Sequence, residues 1–84
     1  MAELTSLRNI GKELDRKLKA VEIATAEELR EVGSEEAFVR LKLRDSHVCL
    51  VHLYALEGAI SDLEYNELPE DVKARLKGIS DRLK

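Results

Sequence analysis

The chain is poor in the residues that punctuate and staple a fold: one proline, four glycines and one cysteine in 84 residues. A β-sandwich needs many turn residues, whereas long helices joined by short loops need few. With Cys49 alone, no intramolecular disulfide can form, which fits a reducing compartment. No run of about 18 apolar residues is present for a membrane span. The stretch from Met1 to Leu7 carries Glu3 and lacks the basic, apolar pattern of a signal peptide. A cytoplasmic location is therefore expected. Positive charge is also short, with 14 Lys and Arg against 17 Asp and Glu and a net charge of −3. A strongly basic domain would point to nucleic acid; here any contact with a polyanion has to be local, through a patch.

What is present is a 44% hydrophobic and 37% charged chain, the balance of a folded globule with a densely charged surface. The length predicts one domain, residues 1–84. So short a chain buries a modest core, so its stability should be a few kcal/mol rather than tens.

Along the chain, Thr5 is placed to cap a short first helix that ends near Asn9-Ile10-Gly11. A second helix is predicted from Lys12 to Val21, with Leu14, Leu18 and Val21 at i, i+4, i+7 and Lys12, Arg16 and Lys19 on the opposite face. The two are joined by a tight turn pivoting at Gly11. Thr25 with Glu28 forms a capping box for a helix from Ala26 to Val32, and Gly33 ends it with a left-handed cap. Ser34 is placed to cap the next helix, with Glu35 and Glu36 in its first turn and Arg40, Lys42 and Arg44 toward its end, matching the macrodipole.

Residues 39–54 read two ways. Val39, Leu41 and Leu43 alternate with Arg40, Lys42 and Arg44, a strand pattern with Asp45-Ser46 as a hairpin turn. Val48, Val51, Ala55, Ala59 and Leu63 recur at helical spacing, which favours a helix from His47 to Leu63. Gly58 inside it weakens the helix by about 1 kcal/mol relative to alanine, a cost consistent with close helix packing. Pro69 suits the first position of a last helix, whose stripe is Val72, Leu76, Ile79 and Leu83.

No constellation for chemistry emerges. His47, Cys49 and His52 lie close together, but a zinc site wants three or four ligands, usually paired on two elements. The plainer reading is a buried cysteine and two surface histidines, with no metal. Cys49 lies in an apolar run that disfavours a thiolate. No phosphate-binding GxxxxGK[ST] or GxGxxG motif exists. The expectation is no catalytic residue, no cofactor and no small-molecule substrate.

Charge is more informative. Arg8 to Lys19 holds five basic and two acidic residues, and Glu22 to Glu36 holds six acidic and one basic. Such runs are most often solvated faces. A tight turn feeding a helix also exposes backbone N–H groups that can hold a phosphate, which makes Asn9, Ile10 and Gly11, flanked by Lys12 and Arg16, the candidate anion or nucleic-acid site.

Leu7-Arg8-Asn9-Ile10-Gly11, Leu29-Arg30-Glu31-Val32-Gly33, Glu36-Ala37, and Leu53 to Ile60 followed by Leu68-Pro69 resemble the C-terminal domain of the TfoX/Sxy family, from about Leu4 to Leu83. The resemblance implies an all-α, helix-hairpin-helix-like bundle of about five helices, in keeping with the periodicity. It also implies a link to regulators of competence genes that act with a cAMP-responsive transcription factor. DNA-binding hairpins usually carry a glycine where this chain has Asn9, whose side chain is expected to crowd a phosphate. Two functions are carried forward: a protein-interaction module, with a protein partner or a second copy, and a module contacting the DNA backbone.

Overall fold

The computed structural model describes residues 2–83. A single 3-10 turn at Leu4–Ser6 precedes five helices: α1 (Lys12–Ala20), α2 (Ala26–Val32), α3 (Ser34–Arg44), α4 (Leu50–Ser61) and α5 (Glu70–Arg82). Among the described residues there is no strand; one isolated antiparallel bridge, Glu3 to Thr25, ties the N-terminal segment to the start of α2. The helical reading of residues 39–54 holds at both ends. Phe38 and Leu41 of α3 are buried, as are Leu53, Ala55 and Leu56 of α4.

α4 is apolar nearly all round, the mark of a central element. It packs on α3 on one side and on α5 on the other. Phe38, Leu18, Ile23, Leu29, Leu53, Leu56 and Leu76 make up much of the fully buried interior between the helices. Leu14 and Leu18 are the buried stripe of α1, and Leu76 and Ile79 that of α5, with Val72 and Leu83 packed at its margin.

Several boundaries differ from the sequence reading. The first helix is only a 3-10 turn, and Thr5 lies inside it, exposed, without capping. One turn gives too few hydrogen bonds to offset helix nucleation, and Leu7 is already extended. Ser34 is the first residue of α3 rather than its cap. Gly33, at φ 88°, holds the junction of α2 and α3, and the Ser34 hydroxyl donates to Glu57 Oε1 at 2.6 Å. α4 begins at Leu50, not His47, because Asp45 sets a local turn. Its Oδ1 accepts from the His47 backbone N–H at 2.9 Å, and its carbonyl accepts from Val48 N–H at 3.1 Å. Pro69 stands one residue outside α5, its carbonyl accepting from Lys73 N–H at 2.9 Å. The Thr25 cap forms as expected, Glu28 N–H donating to Thr25 Oγ1 at 3.1 Å, but the return bond of a capping box is displaced by one residue: Glu28 Oε1 accepts from Ala24 N–H, at 3.0 Å, rather than from Thr25 N–H.

Candidate functional site

The pivot of the first turn is Asn9 rather than Gly11. Asn9 adopts φ 70°, a left-handed conformation that asparagine tolerates better than most residues. Gly11 is extended, at φ −94°, and a Cβ there would meet nothing within 4 Å. The Asn9 amide is turned into the protein. Its Nδ2 donates to Leu63 O at 2.9 Å and to Ala55 O at 3.4 Å, and its Oδ1 accepts from Tyr65 N–H at 3.2 Å. One side chain thus clips the first turn to the end of α4 and to the loop beyond it. Gly58 makes room for this. A Cβ at that position would lie 2.5 Å from Asn9 Nδ2 and 2.5 Å from Leu63 O.

The five residues of the candidate anion site therefore part company. Asn9 faces α4, and Ile10 is buried in the core. Gly11, Lys12 and Arg16 remain exposed. Gly11 N-caps α1 without a side-chain hydrogen bond. Arg16 Nη2 is paired with Glu13 Oε2 at 2.6 Å, and Lys19 with Asp15 at 3.2 Å. Lys17 reaches across to Asp45. The Lys17 ammonium, followed by the His47 backbone N–H, holds the Asp45 carboxyl far below the usual carboxylate range. Lys12 has no ion-pair partner among the described residues.

Cys49 is exposed, which corrects the buried reading. It is the N-cap of α4 and shares a capping box with His52, its backbone N–H donating to His52 Nδ1 at 3.0 Å and its Sγ lying 3.5 Å from the same nitrogen. Among the described residues, no group of three or more His, Cys, Asp or Glu side chains is placed to hold a metal ion. None of their helices is long and apolar enough to cross a membrane.

Sequence reasoning passed over a groove of about 420 Å³ between α1 and the first half of α4. Leu14 and Ala55 line it together with Val51 and Tyr65, and Glu13, Lys17 and His52 border it. Val51 is 54% exposed and Tyr65 46% exposed, so two large exposed apolar side chains line the same groove. A signal existed: α4 carries more apolar residues than two neighbouring helices can cover, and Val51 is the surplus. The placing of Tyr65 in the same groove as Val51, by the loop that Asn9 holds, has no local signature.

Fold and site together define a small all-helical bundle with an apolar groove beside its first turn. The chain belongs to the TfoX C-terminal domain family, whose model matches residues 1–79. It is similar to an uncharacterised protein from Listeria monocytogenes in a triclinic crystal form, with 45% identity and a TM-score of 0.95 over 98% of this chain and 93% of that one. A tetragonal crystal structure of a Listeria monocytogenes protein of unknown function has 44% identity and a TM-score of 0.94, over 96% and 99% of the two chains. None of the curated proteins matches.

Proposed function

We propose that the chain is a cytoplasmic, non-enzymatic interaction module that docks an apolar segment of a protein in the groove between α1 and α4. In keeping with its family, it would act through such contacts in transcription regulation of the competence type. The observation that carries this reading is the lining of one groove by exposed Val51 and Tyr65 together with Leu14 and Ala55. An apolar pocket with a charged border is the usual seat of an interface anchor.

A DNA-backbone contact at the first turn is the second reading, favoured by the start of α1, which has no side-chain cap, and by Lys12, which has no ion-pair partner among the described residues. Three features weigh against it. Asn9 and Ile10 are spent on the fold. Arg16, Lys17 and Lys19 are each paired with a carboxylate. The net charge of −3 repels a polyanion overall.

The test is capture from a lysate of the native host by immobilised wild type, Val51→Glu and Lys12→Glu. A protein retained by wild type and Lys12→Glu but lost with Val51→Glu supports the groove. Failure to retain any protein, or retention indifferent to Val51, overturns it. Duplex DNA titrated at low salt tests the second reading, since phosphate contacts are salt-dependent. Binding abolished by Lys12→Glu would support it in place of the first.

A further inference from the structure

We propose that a second cavity, between α1 and α3, binds a small phosphate monoester held by the guanidinium groups of Arg16 and Arg44. The cavity, of about 270 Å³, is distinct from the groove between α1 and α4 and shares only Lys17 with it. Arg16, Lys17 and Ala20 line it from the second half of α1, and Leu41, Arg44 and Asp45 from the end of α3 and its cap. Two members of the basic run from Arg8 to Lys19 thus line one recess together with a cation from another helix.

Lys17 and Asp45 are paired with each other, so their charges cancel within the lining. Arg16 and Arg44 leave it two positive charges. Arg44 has no hydrogen-bond or ion-pair partner among the described residues. Arg16 is paired with Glu13 at 2.6 Å, but the two side chains are 70% and 77% exposed. An ion pair so open to water contributes little and is readily exchanged, and Glu13 does not line the cavity. The dipoles of α1 and α3 favour cations near the helix ends whatever those cations bind. They do not account for two guanidinium groups from different helices bordering one cavity, one of them without a partner. Each guanidinium presents a planar fork of donors that matches the oxygens of a carboxylate or phosphate two at a time. Two forks with two uncompensated charges match a dianion with several acceptor oxygens, which a phosphate monoester supplies and a single carboxylate does not. A nucleic-acid backbone offers singly charged diesters instead, and the net charge of −3 opposes a polyanion. Leu41 and Ala20 form the apolar part of the lining, against which a short carbon body can lie. Pockets for drug-sized ligands span about 300–1,000 Å³, so that body is small.

The experiment is a titration of the full, isotope-labelled chain with glycerol phosphate, followed by NMR at fixed ionic strength. Saturable shifts are expected at the Nε–H groups of Arg16 and Arg44 and at the amides around the cavity. Arg16→Gln and Arg44→Gln should each weaken binding by about tenfold or more, the worth of a charge-assisted hydrogen bond. Both positions are exposed, so the variants should keep the wild-type circular dichroism; Arg16→Lys and Arg44→Lys, which lose the fork and keep the charge, replace any that does not. Arg82→Gln, the same loss of charge on α5, should leave the affinity unchanged. Acetate should bind about tenfold more weakly or worse. Shifts that do not saturate, acetate bound as well as glycerol phosphate, or an Arg82→Gln variant as impaired as Arg44→Gln overturns the proposal. So does an Arg44→Gln variant that loses stability yet binds as wild type, since the arginine is then a helix-end cation only. A phosphoserine peptide or a duplex oligonucleotide bound about tenfold more tightly than glycerol phosphate overturns the small-molecule occupant. None of these outcomes depends on Val51, so the groove reading stands or falls separately.

Discussion

Replacing Gly58 with alanine tests whether the Asn9 clip organises the fold. On helix propensity alone the change should stabilise α4 by about 1 kcal/mol. The structure predicts the opposite sign. The new Cβ would sit 2.5 Å from Asn9 Nδ2 and 2.5 Å from the Leu63 carbonyl oxygen. The first neighbour is a side chain pinned at both ends of its amide; the second is backbone at the turn where Leu63 N–H already donates to Gly58 O at 2.8 Å. Relieving the overlap means losing the two Asn9 Nδ2 bonds, about 1 kcal/mol each. Displacing the Leu63 turn adds about 1–3 kcal/mol of overpacking strain. Less the propensity gain, the net loss is about 2–4 kcal/mol. A small domain has about 5 kcal/mol at the low end of native stabilities, so most of the margin disappears. Urea unfolding followed by helical circular dichroism should show a midpoint lower by about 2 M or more at an unchanged slope near 1 kcal/mol/M. The companion is a double-mutant cycle with Asn9→Ala. If the amide is what the Cβ strikes, alanine at position 58 is less harmful in the Asn9→Ala background, by about 1 kcal/mol or more. A Gly58→Ala variant as stable as wild type, or strictly additive effects, refutes the reasoning.

Three further outcomes are expected. Gly11→Ala should leave stability within about 0.5 kcal/mol of wild type, measured in the same urea assay, because position 11 has ordinary backbone geometry and open space beside it. Lys17→Met should expose the acid dependence of the α3–α4 corner. The depressed Asp45 carboxyl contributes stability that is fully present above the unfolded carboxylate value of about 3.9 and is lost as pH falls through the lower folded value. The variant should therefore be weaker than wild type at neutral pH, with the gap shrinking in increasingly acidic urea titrations; a gap independent of pH would remove Asp45 from the explanation. Cys49 should react stoichiometrically with a thiol reagent in the absence of denaturant, because it is exposed at the start of α4; a thiol modified only on unfolding would contradict that placement.

The helices themselves were legible because their signals are local. The Thr25 cap and the core of each stripe, Leu14-Leu18 and Leu76-Ile79, follow from spacing alone, while Val21 and Leu83, read as the last members of those stripes, fall one residue past the helix ends. The ambiguous segment was decided by a pattern that runs on past Tyr54, which no short strand could extend. Errors fell where a short polar side chain chooses among competing partners. Thr5 and Ser34 look like caps, yet Ser34 bonds to Glu57, 23 residues away. Cys49 sits in an apolar run, yet Asp45 stops α4 from starting earlier and leaves the thiol at its uncovered tip. The site was less legible than the fold. Asn9-Ile10-Gly11 was rightly singled out as a special turn, but its partners Ala55, Leu63 and Tyr65 lie 46 to 56 residues on, beyond the reach of any spacing rule.

That separation bears on how the chain comes to be folded. As the polypeptide leaves the ribosome, α1, α2 and α3 emerge before the Ala55 and Leu63 carbonyls and the Tyr65 N–H that bond Asn9, so the first turn waits unlatched while the 46 to 56 residues that follow it are made. Synthesis from N- to C-terminus thus leaves the closing of this domain until α4 and the turn after it are made, and a release that stops short of Ala55 would yield helices without the clasp that gathers them.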